Sequence, residues 1–158
     1  WRACGNIAGA CPPVSNSTGS KHMSVPEHFF DTNILLYLLS GDDAKADAAE
    51  ALVGEGGHLS VQVLNEFASV ATRKLDMTHA EVRDVLAPIR AICQVHALTE
   101  VTHELGVHLA ERYRLSIYDG MIAAAALDAG CTTLFSEDMQ DGLLIERSLR
   151  IRNPFRVT

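Results

Sequence analysis

A chain of 158 residues with 47% in the hydrophobic set can fill one core of ordinary size, and its length argues against two domains. Its net charge of −7 argues against a broad electrostatic footprint for nucleic acid, though not against an acidic cleft neutralised by metal ions. No run approaches the ~18–20 apolar residues of a membrane span, so no membrane partner is expected.

The first 22 residues, "WRACGNIAGACPPVSNSTGSKH", hold no Asp or Glu and little periodicity, and "GSKHM" resembles the scar of an expression vector. Residues 1–22 are therefore read as a leader and 23–158 as a single domain starting at Met23; losing Arg2 and Lys21 takes the charge to −9. "CGNIAGACPP" is too broken for the apolar stretch of a secretory signal, so a cytoplasmic protein is expected. With Cys4 and Cys11 set aside, Cys93 and Cys131 remain in apolar contexts and read as reduced core thiols.

In chain order, "EHFF" is a short buried strand that hands over at Asp31 to a buried helix in "TNILLYLLS". "DDAKADAAEALVGEGG" is a helix opened by Asp42 or Asp43 and stopped at Gly54. "HLSVQVLNEFASVATRKL" gives a strand and then a helix from about Ser60 to Lys74. Thr78 and Glu81 stand at capping-box spacing, and Pro88 predicts a kink or an early break in the helix that follows. "QVHAL" is the next strand, "EVTHELGVHLAERYR" and "SIYDGMIAAAALDAG" are helices, "CTTLFSED" is a strand, and a last strand lies near "LRIR". Strands alternating with helices of about 10–15 residues predict an α/β fold with a mostly parallel sheet, which gathers functional groups beyond the carboxyl ends of its strands.

Four acids lie at element ends or beside apolar faces. Asp31 follows a strand but could simply cap the next helix, and Asp138 follows another strand but could be a turn residue. Glu66 borders the apolar face of Val63, Leu64, Phe67 and Val70, and buried carboxylates are rare unless paired or metal-bound. Asp119 opens an almost wholly apolar helix, where Ser116 and Asp119 could alternatively form a capping box. A cluster of these acids would repel itself. Mg²⁺ or Mn²⁺ would relieve that repulsion, since both take oxygen ligands and bind through a few carboxylates plus substrate phosphates. Such a centre suits phosphodiester hydrolysis by a metal-activated water.

Other chemistries fit poorly. His103 and His108 are five apart, about 140° around a helix, which breaks the zinc-protease spacing; His79, His96, His103 and His108 read as surface or core-edge residues. "GEGG" at 54–57 matches no phosphate or dinucleotide loop, and Ser60, Ser116 and Ser136 lack a nucleophile-elbow context. An aspartyl phosphatase would want D-x-D where this chain has Asn33 in the second place.

"FFDTNILLYLL", "SVQVLNEF", "YDGMIAAAAL" and "LFSEDMQDG…NPF" together resemble the PIN-domain family, specifically VapC-type toxin ribonucleases, over about residues 25–156. The resemblance implies a three-layer α/β/α sandwich with a sheet of about five strands, and a Mg²⁺- or Mn²⁺-dependent endoribonuclease. By motif position the metal-holding catalytic acids are Asp31, Glu66, Asp119 and Asp138, with Asn33 and Ser136 in support. Glu137, Asp138 and Asp141 compete for the last place; Asp138 ranks first by strand alternation, and Asp141 stays open as an outer ligand. The resemblance further implies an RNA substrate, a small antitoxin that supplies a basic residue to the acidic site, and a homodimer. A PIN nuclease of RNA processing and a non-catalytic protein-binding module are the alternatives. Arg73, Lys74, Arg112 and Arg114 are candidate phosphate contacts, each of which could equally sit on a solvated helix face.

Overall fold

The computed structural model describes residues 26–156, so the reading of residues 1–22 as a leader and of Met23 as the start lies outside the described residues. The elements are β1 (His28–Phe30), α1 (Thr32–Tyr37), α2 (Asp43–Gly54), β2 (Gly57–Ser60), α3 (Val61–Lys74), α4 (His79–Ile92), β3 (Cys93–His96), α5 (Glu100–Tyr113), α6 (Ile117–Asp128), β4 (Thr133–Phe135), β5 (Leu144–Ile145) and β6 (Leu149–Arg152). They form one six-stranded sheet in the order β3-β2-β1-β4-β6-β5, parallel throughout except where β5 meets β6.

Helices cover both faces of this sheet, as its residues require. Phe29 and Phe30 are successive and therefore point to opposite faces, yet both are fully buried, along with Leu59, Leu134 and Ile151. The parallel crossovers run one way from β1 to β3 and return from β3 to β4, so right-handed connections place α1–α4 on one face and α5–α6 on the other. The second pair packs unusually close. A methyl group on Gly120 would lie 2.4 Å from the Gly106 carbonyl oxygen, so the two backbones touch where a side chain would separate them.

Local signals set most boundaries. Asp31, Asp42, Ser60, Thr78, Thr99 and Ser116 each cap the helix that follows through a side-chain oxygen, and Thr78 with Glu81 closes a full capping box. Two expectations need correction. The helix carrying Pro88 runs on to Ile92 without the early break, because Pro88 and the Asp84 whose carbonyl it leaves unbonded both lie on the exposed side, where water can replace the lost bond. The sheet also has a sixth strand, β5, only two residues long. Its hairpin turns through Glu146 and Arg147, both at positive φ, where an Asn-Gly pair would be usual. Tertiary bonds hold that turn instead: the Tyr113 hydroxyl accepts from the Glu146 amide at 2.9 Å, and Arg112 pairs with the Glu146 carboxylate at 2.8 Å.

Cys93 and Cys131 are buried free thiols, as read, and burial pushes each up to about 11. No helix among the described residues is long and apolar enough to cross a membrane.

Candidate active site

The strand order reverses beside β1: one crossover series leaves it toward β2, and the chain returns on its other side as β4. Crevices at such switch points, beyond the carboxyl ends of the strands, are where open α/β sheets bind ligands. Asp31 follows β1 directly and Ser136 follows β4 directly, and the Asp31 amide donates to the Phe135 carbonyl at 3.0 Å.

Asp31 is 3% exposed and both of its carboxylate oxygens are engaged. Oδ1 accepts from the Thr32 amide at 2.6 Å, which is the helix cap; Oδ2 accepts from the Ser136 hydroxyl at 2.6 Å and the Asn33 side-chain amide at 2.8 Å. The same Asn33 nitrogen donates to Asp138 at 3.1 Å, and its oxygen accepts from the Glu137 amide at 3.2 Å. Asn33 thus ties the end of β1 to the segment after β4. Capping and site-building coexist at Asp31 because the carboxylate has one oxygen for each.

Glu66 joins this group through its neighbours. The Thr32 hydroxyl donates to it at 3.1 Å and the Gln62 side-chain amide at 2.7 Å, fixing both oxygens. Neither Thr32 nor Gln62 was singled out from the sequence. Gln62 could have been, since it stands one helical turn before Glu66 at a spacing that places the two side by side.

Asp119 resolves in favour of a free carboxylate. Ser116 accepts from its amide at 3.1 Å, but among the described hydrogen bonds the Asp119 side chain does not return the bond that would close a capping box. Its charge acts on Asp31 instead. Burial is the main force raising the Asp31 carboxyl, the Ser136 and Thr32 hydrogen bonds oppose it, and the charges of Asp119 and Asp138 raise it further, to about 7.

The competing acids after β4 are committed elsewhere. Glu137 pairs with Lys45 at 2.6 Å and accepts from the Tyr37 hydroxyl, so it points away from Asp31 as alternation requires, and both partners hold its carboxyl below the usual range. Lys45 also lies over the Tyr37 ring at 4.5 Å. Asp141 accepts from the Asn153 amide at 2.9 Å and faces Arg156 at 4.0 Å, which makes it an anchor for the carboxyl-terminal turn.

The group contains the donor chemistry of a hard divalent cation: carboxylate oxygens, with amide and hydroxyl donors orienting them from behind. Among the described residues no three His, Cys, Asp or Glu side chains are drawn into a ready-made cage. Burial is the larger cause of the raised Asp31 carboxyl, and the charges of Asp119 and Asp138 add to it. The residues fit Mg²⁺ or Mn²⁺.

Several solved structures share this fold. A toxin–antitoxin complex from Klebsiella pneumoniae is 21% identical with a TM-score of 0.60, covering 82% of this chain and 99% of the other. VapC20 from Mycobacterium tuberculosis, described as a sarcin–ricin-loop-cleaving toxin, is 20% identical with a TM-score of 0.58 over 70% of this chain and 91% of its own. VapBC2 from Rickettsia felis, bound to a fragment of its promoter DNA, is 20% identical with a TM-score of 0.51 over 70% and 87%. No curated protein matches the chain. The family model for the PIN domain matches residues 28–140, a span that includes Asp31, Glu66, Asp119 and Asp138, and the chain belongs to the PIN-domain family.

Proposed function

We propose that this PIN domain is a Mg²⁺- or Mn²⁺-dependent endoribonuclease, acting in the cytoplasm as the toxin of a type II toxin–antitoxin pair. One observation carries the reading: a buried carboxylate, fully hydrogen-bonded yet raised to about 7 by burial and by two neighbouring acids, at the switch point of a parallel sheet. A structural cap needs no such concentration of charge.

Asp31, Glu66, Asp119 and Asp138 would hold the ion, which when bound supplies positive charge to an RNA phosphate and acidifies a water for attack. The chain's own residues do the positioning. Ser136 and Asn33 fix Asp31 Oδ2, Thr32 and Gln62 fix Glu66, and Asn33 sets Asp138 relative to Asp31. Asp141 stays outside this set, occupied with Asn153.

The fold neighbours support the toxin reading by their descriptions: one is a sarcin–ricin-loop-cleaving toxin, and another is a toxin–antitoxin complex. By the same analogy the partners are RNA and a small antitoxin whose basic residue, an Arg by its bidentate fit to carboxylates, enters the acidic site; the toxin forms a homodimer.

Pure protein incubated with total RNA and Mn²⁺ tests the activity. Cleavage is expected, and it should vanish in excess chelator and in Asp119→Ala; cleavage that survives either change overturns the assignment. Growth arrest on expression, relieved by a small neighbouring gene, distinguishes a toxin from an RNA-processing nuclease. Calorimetry showing no Mn²⁺ binding would instead favour a non-catalytic protein-binding module.

A further inference from the structure

Beside Glu66 lies a hollow of about 340 Å³ lined by Asn65, Glu66, Ser69, Val70, Arg73 and Tyr118. Its residues come from two places only. Asn65, Ser69 and Arg73 recur every four positions and form one exposed stripe on α3, next to the stripe of Glu66 and Val70. Tyr118 comes from the first turn of α6, immediately before Asp119.

Tyr118 is 59% exposed, and among the described residues it stacks on no other ring and its hydroxyl makes no hydrogen bond. This contrasts with the other described tyrosines, since Tyr37 is held by Lys45 and Glu137, and Tyr113 by Glu146. Arg73 is likewise exposed and, like most of the described basic residues, joins no ion pair. An uncommitted aromatic face, an uncommitted guanidinium and an amide side chain therefore share one concavity, and that concavity is continuous with an acid of the site.

We infer that this hollow is a nucleotide subsite for single-stranded RNA: Tyr118 stacks on a base flanking the scissile phosphate, Arg73 contacts the adjoining phosphate, and Asn65 reaches the edge of the base. The inference rests on the ribonuclease reading and gives that reading a specificity-determining surface. Each of the three residue types supplies a different part of what an unpaired nucleotide offers, namely a π-face, a charge and a hydrogen-bonding edge. Along α3, the seven residues from Glu66 to Arg73 advance about 10 Å, enough to separate a phosphate contact from the reacting centre. Arg73 and its neighbour Lys74 close the last turn of α3 and put positive charge at this end of a chain whose net charge is negative.

Cleavage sites are first mapped on total RNA with the wild-type protein and Mn²⁺. Oligoribonucleotides spanning the mapped site, with 2-aminopurine placed in turn on either side of it, then report stacking in chelator, where cleavage is blocked. The wild-type protein and Tyr118→Phe should quench the fluorophore at one flanking position, and Tyr118→Ala should not. In Mn²⁺, Tyr118→Ala should raise KM about tenfold with little change in kcat. Arg73→Ala should raise KM and make it less dependent on salt, with Arg73→Lys recovering part of the loss. If the wild-type protein cleaves RNA while Tyr118→Ala and Arg73→Ala keep its KM and its quenching, the subsite is overturned and the nuclease stands. If wild-type protein cleaves nothing, both fall together.

Discussion

Asp31, directly after β1, and the half-buried His58–His96 pair of β2 and β3 are two polar regions of one sheet, and they meet burial in opposite ways. At 3% exposed, Asp31 is surrounded by donors, yet its carboxyl is raised to about 7 because hydrogen bonds offset only part of the burial and neighbouring acids add to it. His58, 9% exposed, bonds through Nδ1 to His96 Nε2 at 2.8 Å with the rings stacked 5.1 Å apart. Burial lowers both imidazoles, and the charge each would place on its neighbours lowers His58 further. The histidines thus settle as neutral groups that satisfy one another. The aspartate has its geometry satisfied and its charge left open, and that residue of charge is what a cation would answer.

The largest test of this contrast is the response of metal-free protein to pH. Because the folded Asp31 carboxyl is raised from 3.8 to about 7, its contribution to stability is fully present below pH 3.8 and is lost as pH rises through about 7. That difference corresponds to at most about 4 kcal/mol. Urea unfolding in chelator should show this component falling between pH 4 and 8 in the wild-type protein and absent in Asp31→Asn. Mn²⁺ should restore stability at pH 8 only where Asp31 is present. A flat pH profile for the wild-type protein, or equal Mn²⁺ stabilisation of Asp31→Asn, would remove the distinction between the two regions.

Next in size are the groups behind Asp31. Asn33→Ala cuts the only residue that bonds both Asp31 and Asp138 among the described contacts, and Ser136→Ala removes the hydroxyl that does most to lower the Asp31 carboxyl. Each should cost about 10- to 100-fold in Mn²⁺ affinity or cleavage rate, the usual penalty for removing a group that orients a metal ligand. Ser136→Ala should also move the pH of half-maximal Mn²⁺ binding upward, which a purely structural loss would leave in place. Titration calorimetry across pH separates the two.

The strand–helix alternation is legible in the sequence, and the four acids stand out there as candidates, because each rests on local chemistry: a cap, a strand end, an apolar face. What stayed hidden depends on pairings across the chain. Gly106 and Gly120 meet only once α5 and α6 are packed, and the β5 hairpin owes its turn to Tyr113 and Arg112, more than thirty residues earlier, rather than to a turn dipeptide. Glu137 and Asp138 were separable by strand alternation, but the reason Glu137 is spoken for, Lys45, lies 92 positions away. Pro88 does not end its helix, because the Asp84 carbonyl it leaves unbonded lies on the exposed side, which the sequence alone does not show.

The smallest effect belongs to the histidines, and its sign is opposite to that of Asp31. Their folded values are lowered below the ordinary 6.5, so their contribution is fully present above pH 6.5 and is lost as pH falls from there toward the folded values, where the unfolded chain takes up protons the folded pair resists. The groups acting on the pair are His28, which opposes protonation of His58, and Asp128, which favours it at His96. His58→Phe should flatten the acid slope of unfolding by up to one proton while costing about 0.5–1.5 kcal/mol near neutral pH for the lost hydrogen bond. Mn²⁺ should leave that slope unchanged, since no carboxylate of the site contributes to it. An acid slope that responds to Mn²⁺ would mean the two regions are coupled, and the histidines would then have to be counted as part of the site.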